Sequence, residues 1–303
     1  MHQFATLYPL NKKGKRLKGR CRAYVVRGMV VFFGVLLSRA PMRAAPTEPA
    51  APLVIGDTFT VESKILGEAR RINVYLPAAY KESPEIRMPV LYMPDGGMAE
   101  DFLHVAGLVQ VLAGNATMRP FLLVGIENTE RRRDTTGPTE NEADKKIAPR
   151  VGGSEAFRKF IRSELMPAIK ARYRTTNETA IVGESLAGLF VVETFFREPD
   201  LFDTYIAFDP SLWWNNHKLV NAAGEKLSAW PELERTLYFA SSDEKGIVED
   251  TTRLAEILKK NAPPRVHWHY EEMPAEKHST IYHPAALKAF RELFKPAPAK
   301  PSQ

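Results

Sequence analysis

Short apolar runs alternate along the chain with longer segments in which apolar residues recur every three or four positions. Phe59 and Val61, and then Ile72, Val74 and Leu76, alternate with polar residues, which predicts two half-exposed and antiparallel strands. Six further strands are predicted at PVLYM (89–93), FLLVGI (121–126), TAIVG (179–183), TYIAF (204–208), TLYFA (236–240) and VHWHY (266–270). The first two of these six are continuously apolar, as in strands covered on both faces.

Helical patterns lie between the predicted strands. One apolar face runs from Phe157 to Ile169 with Ser154 as a candidate N-cap, and a second helix around Leu254–Leu258 has Asp250 as its candidate cap. Pro284 is expected to open the last helix. Strands that alternate with helices predict an α/β fold with a mostly parallel sheet and antiparallel N-terminal strands. Functional residues are then expected just beyond the carboxyl ends of the strands.

The distribution of charge separates the first 45 residues from the rest of the chain. The 303-residue chain carries a formal net charge of +6, yet residues 1–45 contain ten Lys or Arg and no Asp or Glu, so the remainder carries −4. The basic character therefore belongs to a leader. No stripe of Lys and Arg with interleaved aromatic residues follows, which argues against a nucleic-acid partner.

The leader has the features of an export signal. Its basic stretch ends at Arg27 and is followed by the apolar run GMVVFFGVLL (28–37), which is too short to span a bilayer, and by small-x-small sites near Ala40 and Ala44. We therefore expect a signal peptide or leader (1–45), a linker (46–56), one domain (57–295) and a disordered tail (296–303). Periplasmic or secreted location is expected, with contact to the membrane only through the leader; an uncleaved anchor is the alternative.

The only cysteine, Cys21, lies inside the leader. A processed chain would have no thiol, which excludes disulfides, cysteine nucleophiles and cysteine metal sites. Neither a metal nor an organic cofactor is expected.

The segment AIVGESLAGLF (180–190) has the sequence of a serine-hydrolase nucleophile elbow with one substitution. In the pattern G-x-S-x-G, Ser185 occupies the serine position, and Ala187 stands where glycine is usual. A strand precedes Ser185 and an apolar helix follows it, as this elbow requires. Alanine adds only a methyl group, so we interpret Ser185 as a nucleophile rather than a residue of an ordinary turn.

A serine nucleophile needs a base and an acid that orients the base, which follow it in the chain order Ser, acid, His. His278 lies in the loop between the last strand and the last helix, where the base is expected, with His283 as second choice. The candidate acids are ranked Glu244, then Asp243, then Asp209.

Two backbone N–H groups should hold the oxyanion. We expect that of Leu186, directly after the nucleophile, and that of Gly97, in the loop Pro94–Gly97 after an early central strand.

Two further segments are candidates for contacts with the substrate. IENTERRRDTTGP (126–138) places Arg131 and Arg133 after a strand, where they could bind an anionic or catechol-like group. Trp213 and Trp214 follow another strand and could line an apolar acyl site.

The chain resembles the α/β-hydrolase esterase family that includes esterase D, the enterobactin and salmochelin trilactone esterases and the mycobacterial mycolyltransferases. The matching segments include YMPDGG, VGIENTERRRD, GESLAGLFVVETFF, SLWW, ASSDEKG and EKHS, and they cover nearly all of residues 57–295. The siderophore-esterase branch is the most similar. The resemblance implies Ser185 as nucleophile, His278 as base and Glu244 as acid, in a branch where some members use a Ser-His pair alone.

These observations together predict an exported serine esterase that acts on a small-molecule ester, with a siderophore as a candidate substrate. An acyltransferase of the same fold, in which an alcohol replaces water, is one alternative. A hydrolase-like protein that binds a ligand without catalysis is another.

Overall fold

The computed structural model describes residues 50–296, so the predicted leader (1–45) and the tail from 297 onward lie outside the described residues. Within that range, eight strands and ten α-helices form a compact unit that begins at Leu53. The strands are β1 (Gly56–Ser63), β2 (Glu68–Tyr75), β3 (Met88–Met93), β4 (Leu122–Ile126), β5 (Thr175–Glu184), β6 (Thr204–Phe208), β7 (Arg235–Ser241) and β8 (Val266–Glu272). The helices are α1 (Ala78–Glu82), α2 (Phe102–Gly114), α3 (Arg131–Thr135), α4 (Ser154–Phe160), α5 (Met166–Arg172), α6 (Leu186–Arg197), α7 (Trp214–Asn221), α8 (Ala223–Ser228), α9 (Lys245–Asn261) and α10 (Tyr282–Leu293).

All eight strands belong to a single sheet with the order β1-β2-β4-β3-β5-β6-β7-β8. β2 pairs antiparallel with both β1 and β4, and every pair from β4 to β8 is parallel. The predicted α/β fold with antiparallel N-terminal strands is therefore confirmed. The order places β5 between β3 and β6, so the carboxyl ends of these three strands are neighbours.

Helices cover both faces of the sheet. Side chains of β3 alternate between the two cores: Val90 and Tyr92 pack with α4, α5, α6 and α9, whereas Leu91 and Met93 pack with α2 and α10. Strands with apolar side chains on both faces appear as continuous apolar runs in sequence. This explains why PVLYM lacks the alternation of β1 and β2.

Two of the predicted helix caps are wrong. Ser154 is the first residue of α4 rather than its cap, and its side chain makes no capping bond. α9 begins at Lys245, so Asp250 lies inside the helix, where its carboxylate contacts Nδ1 of His217 at 2.7 Å. The last helix begins at Tyr282, two residues before the predicted Pro284.

Among residues 50–296, no helix combines the length and apolar character needed to cross a bilayer.

Candidate active site

Ser185 lies on a sharp turn between β5 and α6. Its backbone has φ 60° and ψ −120°, a conformation that costs free energy for any residue with a side chain. A Cβ at Gly183 would lie 2.7 Å from the backbone carbon of Ala187 and 2.9 Å from its Cβ, so only glycine fits there. Since Gly183 provides the space, the methyl group of Ala187 is accommodated at the fifth position of the motif.

His278 lies within hydrogen-bonding distance of Ser185, as the sequence predicted for the base. Its Nε2 is 3.1 Å from the Oγ of Ser185. The loop that carries it is attached to the end of β7, where the N–H of Asp243 donates to the carbonyl of Glu276 at 3.1 Å. Two residues that are 93 positions apart in the sequence are thus brought into one pair.

The carboxylate that contacts His278 belongs to Asp209, the third-ranked candidate, and not to Glu244. Oδ2 of Asp209 lies 2.9 Å from Nδ1 of His278. Asp209 is fully buried and also accepts bonds from the backbone N–H of Ser242 at 2.5 Å and from its hydroxyl at 2.6 Å. These donors hold the carboxylate in one orientation while leaving Oδ2 directed at the imidazole.

The other two candidate acids point elsewhere. Glu244 is exposed at the start of α9, and within the described range no hydrogen bond or ion pair joins it to His278. Asp243 forms an ion pair with Lys277. The sequence ranking placed the acid after β7, but the carboxylate that contacts His278 follows β6. Asp209 adopts φ 42°, and its N–H donates to the carbonyl of Ala240 on β7.

The contact with Asp209 fixes the tautomer of the neutral imidazole. A carboxylate accepts a hydrogen bond from Nδ1–H, which leaves Nε2 as the acceptor for the hydroxyl of Ser185. The bond to Asp209 raises the pKa of His278 above its usual value; burial opposes this effect, and the charge of Glu184 adds to it.

Glu184 is a second carboxylate beside the base, and the sequence analysis did not identify it. Its Oε1 lies 3.5 Å from Nε2 of His278, and 17% of its side chain is exposed. Burial raises the pKa of Glu184 to about 7, although the charges of His278 and Arg131 lower it. The only signal in the sequence was an acidic residue at the variable position before Ser185.

The two predicted oxyanion donors differ in their availability. Leu186 is the first residue of α6, and the N–H groups of a first helical turn have no partner within the helix. The N–H of Gly97, in contrast, donates to Oε2 of Glu100 at 2.6 Å, and that of Gly96 donates to the carbonyl of Ile126. In this loop Asp95 has φ 57°, and no residue in the range 50–296 accepts a hydrogen bond from its N–H.

Arg131 connects the loop after β3 to the nucleophile elbow. Its Nε and Nη2 contact the carboxylate of Asp95 at 2.6 and 2.8 Å, and Nη2 also lies 3.4 Å from the carbonyl of Glu184. Asn128 donates to the same carboxylate at 2.6 Å. Arg131 therefore holds Asp95 close to Ser185, rather than presenting all its donors to solvent.

Arg133 does not lie free for a substrate, in contrast to the prediction. Its guanidinium bonds to Glu68 at 2.7 Å and to Asp134 at 2.7 Å, and only 13% of the side chain is exposed. The fully buried Arg70 joins the same two carboxylates. Three consecutive arginines gave no sign that one of them belongs to a buried ion-pair network.

The two tryptophans have different environments. Trp214 is buried, with 4% exposure, and its Nε1–H donates to the carbonyl of Gly137 at 2.8 Å. Trp213 is 36% exposed. Its segment adjoins the elbow, since the N–H of Ser211 donates to the carbonyl of Ser185 at 3.0 Å. Of the two tryptophans, Trp213 therefore presents more surface to solvent.

A cavity of about 540 Å³ extends from Arg131 along α3. It is lined by Glu130, Arg131, Arg132, Arg133, Ala148, Pro149 and Arg150. Of its four guanidinium groups, those of Arg131 and Arg133 are bound to the carboxylates described above, and that of Arg150 forms an ion pair with Glu130. Within the described part of the chain, no group of three or more His, Cys, Asp or Glu side chains is arranged to hold a metal ion.

Residues 63–285 match the sequence profile of the family described as "Putative esterase". The chain belongs to this family. The match includes the elbow, Asp209 and His278.

Proteins similar to this chain include esterases of siderophores. The chain is 33% identical to the ferri-bacillibactin esterase of Bacillus subtilis over 162 residues, which cover 49% of this chain and 56% of that protein. It is 30% identical to the siderophore triacetylfusarinine C esterase of Aspergillus fumigatus over 185 residues, covering 57% of this chain and 61% of that one. The chain thus spans a little over half the length of these two relatives.

A solved structure of an IroE-like serine hydrolase from Shewanella oneidensis superposes with a TM-score of 0.73 at 27% identity. The superposition covers 79% of this chain and 80% of that one. The fold of this esterase-family chain is therefore shared across most of its described length.

Proposed function

We propose that this chain is a serine ester hydrolase in which Ser185, His278 and Asp209 act as nucleophile, base and orienting acid. The observation that carries the proposal is the continuous contact from Asp209 through His278 to Ser185, at 2.9 and 3.1 Å. Such an arrangement lets an imidazole remove the proton of a serine hydroxyl as the oxygen attacks a carbonyl carbon.

In the first step, the Oγ of Ser185 bonds to the ester carbon while its proton moves to Nε2 of His278. The imidazolium then donates this proton to the leaving alkoxide as the C–O bond of the ester breaks. Water, deprotonated by the same Nε2, then attacks the acyl carbon. The bond from this carbon to the Oγ of Ser185 breaks, Oγ takes the proton back from Nε2, and the carboxylic acid is released.

We assign the oxyanion hole to the N–H groups of Leu186 and Asp95. The N–H of Asp95 replaces that of the predicted Gly97, because the latter is occupied by Glu100. The positive φ of Asp95 and its ion pair with Arg131 support this assignment, since both fix the direction of the peptide next to the elbow. Arg131 acts on this peptide as a positioning residue.

The substrate class that we propose is an anionic ester of the siderophore type. Arg131 both lines the cavity and contacts the elbow, so the cavity lies beside Ser185. The exposed Trp213, which follows β6, offers an apolar surface. Guanidinium groups bind carboxylates and phenolates by charge-assisted hydrogen bonds. The substrates printed in the names of the two relatives support the same class.

We also infer that the protein acts outside the cytoplasm, on the basis of the basic, then apolar, then small-residue pattern of residues 1–45. The N-terminal sequence of protein recovered from the periplasm or medium should begin after Ala40 or Ala44. Recovery only from the cytoplasm with an intact Met1 would contradict it.

The decisive test of the enzyme class is Ser185→Ala. This variant should lose at least about a thousandfold of the rate on p-nitrophenyl acetate and all labelling by a fluorophosphonate probe, because no oxygen nucleophile remains. Ser228→Ala removes a hydroxyl that only bonds the carbonyl of Gly224, and it should keep full activity. A Ser185→Ala protein with wild-type hydrolysis would rule out the proposal.

A further inference from the structure

Glu184 occupies an unusual position for a carboxylate that the triad mechanism does not use. It precedes Ser185 directly and is mostly buried, and the basic side chain that its carboxylate approaches, at 3.5 Å, is the imidazole of His278 rather than an arginine. The guanidinium of Arg131 contacts only the backbone carbonyl of Glu184, at 3.4 Å, and forms its ion pair with the carboxylate of Asp95 instead. The structure thus leaves the carboxylate of Glu184 to face His278.

The geometry of His278 gives the two acids different roles. Asp209 contacts Nδ1, the nitrogen that keeps its proton throughout the cycle. Glu184 lies 3.5 Å from Nε2, the nitrogen that receives the proton of Ser185 at 3.1 Å and later releases it. Only Glu184 therefore faces the atom on which protonation changes during each turnover.

We propose that Glu184 is a second carboxylate partner of His278, which stabilises the imidazolium formed during attack and sets the pH below which the enzyme loses activity. The inference rests on the proposed function, since it assigns a positioning and electrostatic role within the same site. Glu184 forms no covalent bond and takes no proton from the substrate.

The mechanism follows from the charge that appears on the imidazole. When Ser185 attacks, His278 becomes positive in a partly buried setting, where a negative charge close by is poorly screened. An ionised Glu184 lowers the free energy of this state, and it also favours the protonated imidazole in the free enzyme. The same carboxylate thus accelerates attack at high pH and moves the acid limb of the activity profile upward.

Glu184 and His278 titrate as a coupled pair, because the pKa of each group depends on whether the other one is charged. The pKa of Glu184 is raised to about 7 by burial, and that of His278 is raised by Asp209 first and by Glu184 afterwards. Other charged or titratable groups also face the pair from the surrounding elements: Arg131 on α3, Asp101 before α2, Asp209 after β6, Glu244 before α9 and Tyr282 on α10.

The test compares the pH dependence of kcat/KM for p-nitrophenyl acetate in the wild type, Glu184→Gln and the matched control Glu249→Gln. Removing the charge of Glu184 should move the acid limb to lower pH by about one unit and lower kcat on the plateau by about tenfold, with KM unchanged. Glu249 is exposed on α9 and pairs with Lys245, so its variant should show the wild-type profile. An unmoved limb in Glu184→Gln would overturn the inference, as would a change in KM alone.

A second readout does not depend on turnover. The pKa of the His278 imidazole is measured by NMR in Ser185→Ala and in Ser185→Ala with Glu184→Gln, and it should fall by about one unit in the double variant. If Glu184→Gln does not fold, Glu184→Asp replaces it: the charge retreats by one methylene, and the limb should move in the same direction by less. No movement there contradicts the inference.

The failure of the inference can be told apart from failure of the proposed function. If fluorophosphonate does not label Ser185 in the wild type, the assignment as a serine hydrolase is wrong. If labelling occurs and the acid limb does not respond to Glu184, only the role of Glu184 is wrong.

Discussion

At the scale of single residues, the carboxylate that contacts His278 is the feature on which sequence and structure differ most. Asp209, Asp243 and Glu244 all follow predicted strands, and spacing alone does not separate them. The structure separates them by burial and bonding, since Asp209 is fully buried with two donors from Ser242, whereas Glu244 is exposed. A buried carboxylate held in one orientation can fix the tautomer of the imidazole, and an exposed one cannot.

Asp209→Asn should lower kcat on p-nitrophenyl acetate by about a hundredfold or more, because an amide can donate to Nδ1 and stabilise the wrong tautomer. Glu244→Gln should leave kcat within about twofold of the wild type. Steady-state rates at pH 8 with matched fluorophosphonate labelling measure both. Equal losses in the two variants would show that Asp209 has no special role.

At the scale of elements, the elbow depends on the close approach of β5 and α6. Gly183→Ala would place a methyl group 2.7 Å from the backbone of Ala187, so the strand and helix must separate. We expect a loss of about 1–3 kcal/mol in the free energy of unfolding and reduced labelling of Ser185, measured by urea denaturation and probe incorporation.

Gly246→Ala is the matched control for this change. A Cβ there meets no atom within 4 Å, and Gly246 lies in the first turn of α9. The variant should unfold at the same or a slightly higher urea concentration, because alanine restricts the unfolded chain and favours helix. A Gly183→Ala protein as stable as this control would contradict the packing argument.

The elements show which parts of the structure were accessible from sequence. Each predicted strand is present in the structure, because apolar runs of five or six residues between turns form buried strands in an α/β fold. Ser185 and His278 could be predicted to lie together because each follows a strand whose carboxyl end the fold brings to one edge, and the structure places them 3.1 Å apart. Within α7, the backbone leaves the right-handed helical conformation at Asn215, Asn216 and His217, whose φ values lie between 50° and 60°, and the sequence gave no signal of this. Asparagine tolerates this conformation singly, and a run of three is unusual.

Long-range ion pairs were equally hidden from the sequence. Arg131 and Arg133 are two residues apart, yet one holds Asp95 beside the elbow and the other lies in the network of Arg70 and Glu68. Which partner a charged side chain meets is decided by the packing of distant elements. Sequence reasoning therefore placed both arginines near the site without separating their roles.

At the scale of the whole molecule, the strand order assembles the site. β5 lies between β3 and β6, so Asp95 and Asp209, which follow these strands, flank Ser185 on its two sides. The proposed oxyanion donor, Asp95, and the proposed acid, Asp209, thus approach Ser185 from opposite sides. The arginine-lined cavity opens on the β3 and β4 side through Arg131, which leaves a path for an anionic group next to the oxyanion loop.

This asymmetry predicts discrimination by charge. Arg132→Ala combined with Arg150→Ala removes two guanidinium groups from the cavity without touching Ser185, His278, Asp209 or Asp95. KM for an ester that bears a carboxylate or catecholate should rise about five- to tenfold with kcat unchanged, and KM for neutral p-nitrophenyl acetate should stay the same. The effect should shrink as salt is raised, because exposed charges are screened within about 10 Å at 0.1 M ionic strength.

Arg265→Ala is the control for a general loss of positive charge, since Arg265 is exposed, pairs with Glu232 and precedes β8 at the opposite end of the strands. It should leave both KM values unchanged. If Arg132→Ala with Arg150→Ala raises KM equally for the anionic and the neutral ester, the cavity affects substrate binding without discriminating by charge. If KM rises for the anionic ester alone, the anionic group of the substrate binds along α3. This is the placement that we expect, because Arg131 lies between the cavity and the elbow.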